Sequence, residues 1–330
     1  MLLIRAEEEH IWKFYNVTNN KFLDLNLCVP YDKCLSGSSE GCLVTVNEDF
    51  GLTLYRPTFI IDEGKTYQNK IIHLPPLFPP DPIQDFDIEL RGMYVKKVAI
   101  FTADPIGNPD DFAIVVIYRC QLAYIRPAKD NKWTRIVDTK ISFRAFDDVV
   151  YYNNQFYAIT MSYGKVISFD VNDPNNLNVK LVIRDSFGHH EKGTFVDVRY
   201  LVKSYGELLM VERYWDDLGD RFTTKFRVFK LSLDRLKWIE IKSLGDVALF
   251  LGDNYSLSIT ASNFDGCESN CIYFTHDEDG GGYGPRGPCD LGVYNVETGR
   301  FVWNYSINLD VLAKMIDQPP IWFVPKINTY

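Results

Sequence analysis

The sequence predicts an all-β protein, a β-propeller of about five or six blades of short antiparallel strands. Three observations carry this expectation. Short apolar runs cut off by Gly, Asp or Asn recur along nearly the whole chain, helical signals are scarce, and one aromatic position returns at irregular but similar intervals. The densest stretch is Lys237–Asp279, where WIEI, VALFL, SLSIT and CIYFT follow one another between turn residues. That spacing is the pattern of an up-and-down antiparallel sheet.

In chain order, WKFYNV and KFLDLNL form a hairpin turning at Thr18-Asn19-Asn20. Cys42–Val46 and Leu52–Tyr55 form a clearer one across Glu48-Asp49-Phe50-Gly51. KIIHLPP, KVAIFTA, FAIVVIYR, QLAYIRP and WTRIV follow as strands. VVYYNNQFYAITM turns at Asn153-Asn154 and RYLVKSYGELLMVERYW at Tyr205-Gly206, with GKVISFDV and VKLVIRD between them. KFRVFKLSLDRLKWIEI leads into the dense stretch, and LGVYNV is joined to RFVWNYSI through Glu297-Thr298-Gly299. One short helix is expected at Asp310–Ile316, capped by Asp310 and stopped by Pro319-Pro320. Residues 83–92 fit neither template. Leu74–Pro82 reads as a loop between sheets, and the Gly-rich Asp277–Pro288 as a long surface loop.

The repeat is marked by Tyr55, Tyr124, Phe169, Phe229 and Tyr294. Nine residues after three of them comes a tryptophan: Trp133, Trp238 and Trp303. A radial array of small sheets needs a bulky residue at one place in each blade to fill the wedge against its neighbour. At about 40–50 residues per blade, 330 residues hold six or so. The WKFYNV/KFLDLNL pair is expected to add strands to LGVYNV/RFVWNYSI and close the ring, which removes exposed edges. Residues 1–10 are expected as a short lead, 11–325 as a single propeller domain and 326–330 as a tail. An array of two β-sandwich domains is the alternative fold.

Composition narrows the function. The chain is 46% hydrophobic and 15% aromatic, enough for a large core. A net charge of -9 argues against binding nucleic acid, which needs a basic face. No apolar run approaches the roughly 20 residues that span a bilayer, so no membrane is expected as partner. MLLIRAEEEHIWKF lacks the pattern of a signal or transit peptide. Seven scattered cysteines, an odd number, fit reduced thiols in a cytoplasmic or nuclear protein.

Four clusters carry side chains capable of chemistry. Cys267, Cys271, His276 and Cys289 carry zinc-ligand types, but Cys-x3-Cys is not the usual spacing, and Cys271 opens an apolar strand. His276-Asp277-Glu278-Asp279 lacks the spacing of a calcium loop and reads as a solvated acidic turn. His189-His190-Glu191 has no third partner and reads as a loop. Asp147-Asp148 offers paired carboxylates for acid and base work, yet a turn cap before a strand is the commoner use. No G-x-S-x-G, S-x-x-K, H-E-x-x-H or P-loop occurs. No catalytic residue, metal or cofactor is therefore expected, and the ligand-binding residues stay unidentified.

The order of motifs resembles the plant F-box-associated, KIB-type β-propeller family. The matching pieces include Gly37–Asp49, LTLYRP, AYIRP with KWTRI, Asp147–Ile159, SLGDVALFLG, Asn270–Asp277 and the closing Ile321–Pro325. They span nearly the whole chain in order. The resemblance implies a non-catalytic module that binds a protein substrate for a ubiquitin ligase, beside an F-box that docks a Skp1-type adaptor. MLLIRAEEEH is too short for an F-box, which puts adaptor binding by this chain in doubt. A propeller enzyme or glycan binder with a central-channel pocket is the alternative function.

Overall fold

A computed structural model describes residues 2–5, 11–18, 21–28, 34–39, 41–56, 70–78, 94–101, 111–137, 145–161, 164–173, 177–184, 195–215, 223–252, 254–275, 290–303 and 320–323. The described strands form six sheets. The first joins β1 (Leu2–Arg5), β2 (Ile11–Asn16) and β3 (Lys21–Cys28) to the last strand of the chain, β25 (Ile321–Trp322), in the order β25-β1-β2-β3. The second is the meander β4 (Cys34–Ser39), β5 (Cys42–Val46), β6 (Gly51–Arg56) and β7 (Lys70–Pro76). The third is β8 (Val95–Ile100), β9 (Ile114–Tyr118), β10 (Gln121–Ile125) and β11 (Thr134–Arg135).

The fourth runs β12 (Phe146–Tyr152), β13 (Gln155–Thr160), β14 (Val166–Phe169) and β15 (Lys180–Ile183). The fifth runs β16 (Phe195–Ser204), β17 (Glu207–Trp215), β18 (Thr223–Ser232) and β19 (Lys237–Ile241). The sixth has five strands: β20 (Val247–Leu251), β21 (Leu257–Thr260), β22 (Cys271–Phe274), β23 (Gly292–Asn295) and β24 (Arg300–Trp303).

Alternation of side chains makes this a ring. Successive residues of a strand face opposite sides, so each sheet buries both faces, one against each neighbour. Six apolar clusters fill the six seams. Leu3 and Phe14 of the first sheet meet Leu43 and Tyr55 of the second. Val44 meets Val116 between the second and third, and Val115 meets Ala158 between the third and fourth. Ile159 meets Met210 between the fourth and fifth, and Val211 meets Leu249 between the fifth and sixth. Phe250 and Tyr273 then pack on Leu2 and Tyr15, which returns the ring to the first sheet. The expected propeller has six blades, and the two-domain sandwich alternative does not describe it.

Four expectations on the elements are corrected. Ring closure comes from β25 pairing with β1, Leu2 opposite Trp322 and Leu3 opposite Ile321, whereas LGVYNV and RFVWNYSI stay within the sixth sheet. Residues 2–5, expected in a lead, are thus a blade strand. The dense stretch is not a simple meander: β21 lies at the inner edge, β20 beside it, and β22 runs parallel to β20. The chain crosses from β21 back past β20 through residues 261–270, which include the short 3-10 turn Ala261–Asn263. Among the repeat aromatics, Tyr55, Phe169, Phe229 and Tyr294 face the preceding blade, but Tyr124 faces the following one. In its blade Trp133 fills the preceding seam, its indole N–H donating to Pro75 O at 2.8 Å. The expected helix at 310–316, residues 83–92 and the Gly-rich stretch 277–288 lie outside the described residues.

Candidate functional site

The first strand of each meander, β4, β8, β12 and β16, lines the middle of the ring, together with β21 from the sixth sheet. They enclose a cavity of about 250 Å³. Its wall takes Ser39 from the last position of β4, Val98–Ile100 from β8, Val149–Tyr151 from β12 and Lys203 from β16. The cavity therefore opens where these strands end. The β16–β17 turn stands at this mouth, with Tyr205 at φ 48° and Gly206 at φ 76°. Tyr205 is 65% exposed, and its hydroxyl meets Thr260 Oγ1. Tyr152 donates to Gly206 O at 2.8 Å, while Phe101 packs edge-on to Tyr151 at 5.2 Å. Tyr255 lines the wall from the opposite side.

The floor is charged. Lys97, 2% exposed, leaves β8 and donates to Gly252 O at 2.8 Å, reaching from the third blade to the sixth across the ring. Asp148 Oδ2 lies 3.7 Å from the same ammonium. That carboxylate accepts from Val149 N at 2.7 Å and from Leu201 N at 2.8 Å, so it ties β12 to β16. The Lys97 ammonium also sits 5.4 Å from the Tyr200 ring. A Cβ on Gly252 would come within 2.8 Å of Thr275 Oγ1 and 3.1 Å of Trp322 Cδ1, so only glycine fits where Lys97 arrives.

Asp147 faces away from the cavity. It is 1% exposed and lies 3.8 Å from Lys96 Nζ. Burial pushes its carboxyl up to about 6, and Lys96 and Arg199 pull it back only in part. Burial raises the Asp148 carboxyl as well, against the pull of Lys97. A row of alternating charges continues outward across the fifth blade. Arg199 meets Glu212 at 3.2 Å, Glu212 accepts from Tyr214 OH at 2.5 Å, and Arg227 forks onto Glu240 at 2.9 and 3.0 Å. The Arg227 fork holds Glu240 down at about 2. Arg213 locks the fifth blade to the sixth, donating to Asp290 Oδ2 at 2.7 Å, Thr223 Oγ1 at 2.6 Å and Thr275 O at 2.9 Å.

The candidates taken from the sequence separate here. Asp147 and Asp148 do not cap a turn: they sit inside β12, where the register shifts between Phe146 and Asp148. They point to different surroundings and serve as ties between blades. Cys271 is fully buried in the seam between the sixth and first blades, and its thiol is raised to about 11, chiefly by that burial. It packs as a small apolar side chain. Cys267 is half-buried with its thiol also raised by burial. His276, Cys289, His189, His190, Glu191 and Asp277–Asp279 lie outside the described residues. Among the described residues no three His, Cys, Asp or Glu side chains meet as a metal site.

Sequence reasoning missed Lys97, Ser39, Asn254 and Ser256, which converge from three distant segments. The one available signal was Lys96-Lys97 in VKKVAI, two adjacent cations within an otherwise apolar strand.

A family model described as KIB1-4 beta-propeller matches residues 14–295. The Arabidopsis thaliana F-box protein SKIP23 is 25% identical, over 90% of this chain and 77% of its own length. Two further Arabidopsis thaliana F-box proteins are each 24% identical, over 58% and 65% of this chain. The chain spans 54% of the length of each of those two. A solved chain of the nidogen–laminin complex covers 92% of both chains at 10% identity and a TM-score of 0.39, too remote to bear on function.

Proposed function

The chain belongs to the KIB1-4 β-propeller family, and from that membership we propose that it is a non-catalytic recognition module of F-box type, which holds a protein so that ubiquitin is transferred to it. The observation that carries this reading is the alignment with SKIP23 through 90% of the chain, propeller against an F-box protein. The channel mouth supports it. Tyr151 and Tyr255 line the cavity beside Ser39, Ser256, Ser258 and Asn254, and Tyr205 stands exposed in the turn that follows Lys203 of its wall. Tyrosine supplies large, rigid contact area at low entropy cost, and Ser and Asn supply adaptable hydrogen bonds, the composition of many protein-recognition loops. The reading places the chain in a reducing cytoplasmic or nuclear compartment, where its free thiols at Cys42, Cys120, Cys267 and Cys271 persist.

The test is a gain of function. The chain is fused behind an F-box and reconstituted with a Skp1-type adaptor and cullin–RING ligase. Proteins captured by the unfused chain are then offered as substrates. The reading predicts ubiquitin transfer to a captured protein, competed by excess unfused chain. No transfer to any captured protein, with the F-box demonstrably engaged, would overturn it.

A further inference from the structure

We propose that the cavity at the channel centre receives a carboxylate from the partner protein, an Asp or Glu side chain on an exposed loop, with Lys97 as its counter-charge. This deepens the recognition reading and rests on it.

Lys97 is the reason. An ammonium carries three donors. Among the described residues, one acceptor, Gly252 O at 2.8 Å, lies within hydrogen-bond range of it. Asp148 stands at 3.7 Å, beyond that range, and both of its oxygens already accept backbone N–H groups. A buried cation with donors left over is costly unless an acceptor arrives. Lys97 lines the cavity, so an acceptor entering from the mouth reaches it.

Three neutral polar side chains share the same wall. Ser256 Oγ is buried and makes no hydrogen bond among the described residues. Ser39 and Asn254, 5% and 8% exposed, add polar side chains to the same wall. The rest of the wall is mixed: Ile100, Val149 and Leu257 are apolar, while Asp148 and Lys203 bring one charge of each sign. Lys97 and Lys203 together outweigh the one carboxylate of the wall, Asp148, which is already held by Val149 N and Leu201 N, so the cavity fits an oxygen-rich anionic head on a short apolar stem, which is an acidic side chain. At about 250 Å³ the cavity is smaller than the roughly 300–1,000 Å³ of drug-sized ligand pockets. A side chain delivered by a loop fills it, and the tyrosines of the mouth receive the rest of that loop.

The experiment pans phage-displayed random nine-residue peptides against the full chain and measures binding of the enriched peptides by calorimetry. The proposal predicts one dominant Asp or Glu. Its replacement by Gln or Asn weakens binding at least tenfold. Ser256→Leu, which fills the cavity, weakens it equally at unchanged melting temperature, and Lys97→Met serves as a second variant. Enriched peptides without an acid, or indifferent to Ser256→Leu, overturn the carboxylate site and leave the recognition reading standing. Glutarate alone binding more tightly than the peptides assigns the site to a free small acid and overturns the loop proposal. Should no peptide enrich and no captured protein be ubiquitylated in the fusion assay, both readings fall together.

Discussion

Tyr205 concentrates strain and exposure in one residue. Its φ of 48° lies in the left-handed region, which a bulky side chain enters at a cost of roughly 1–2 kcal/mol. Two-residue hairpin turns favour Asn or Asp with Gly at such positions, and Gly206 supplies the second half here. Strain kept at an exposed aromatic points to use. Tyr205→Asn is expected to hold or raise stability by up to about 1 kcal/mol in urea unfolding, while partner affinity falls about tenfold or more. Asp147 gives a second prediction at this scale. Its folded pKa of about 6 stands above the unfolded value near 3.8, so the folded state binds that proton more tightly. The associated stability is complete below about pH 4 and lost as pH rises through 6, on the order of 3 kcal/mol in all. Asp147→Asn removes the titration. The stability difference between variant and parent, followed by urea unfolding from pH 4 to pH 7, should therefore grow in the variant's favour. A flat difference would show that burial does not perturb this carboxyl. Neither aspartate's role was legible in the sequence, because a DD pair ahead of VVYY reads equally as a cap. Only the inward path of β12, and the cations that β8 and β16 bring to it, turn the pair into inter-blade ties.

At the scale of elements, the strands were legible and their neighbours less so. Alternating apolar runs and turn residues located the hairpins at Asn153-Asn154 and Tyr205-Gly206, where positive φ values confirm the turns. The sixth blade departed because VALFL, SLSIT and CIYFT carry equivalent apolar patterns, and pattern alone does not say which strand lies innermost. Leu257–Thr260 took the inner place, with Ser258 Oγ donating to Lys203 O at 2.7 Å across to β16. That seam between the fifth and sixth blades also holds Arg213, 2% exposed, among Asp290, Thr223 and Thr275. Removing one partner of a buried pair leaves an uncompensated charge, at about 3–5 kcal/mol. Arg213→Ala is expected to lose that much in denaturant unfolding, whereas Arg227→Ala, on the half-exposed outer fork, loses about 1 kcal/mol or less. Equal losses would mean that Arg213 does not lock the seam.

At the scale of the molecule, the two ends of the described chain make one blade. Trp322 is the keystone of that blade: it is 2% exposed, packs edge-on to Phe250 at 4.8 Å and donates from Nε1 to Leu251 O at 2.8 Å. Trp322→Ala is expected to cost about 3–5 kcal/mol, as large aromatic truncations in cores do, and to destabilise the first and sixth blades together. The sequence made a closed ring legible, since so many short sheets need their edges covered, but it pointed to the wrong strand. IWFVP is too short to announce itself, and MLLIR looks like a lead until Ile321 and Trp322 lie beside it. The central cavity was illegible for the same reason, since its wall is assembled from residues as far apart as Ser39 and Ser258. Closure is therefore the claim on which the channel, its mouth and its proposed ligand all depend. Amide hydrogen exchange of the intact chain reads it directly at Leu2–Arg5. A closed ring predicts protection there comparable to that of the central strand Glu207–Trp215; exchange within seconds, as in a free terminus, would contradict it.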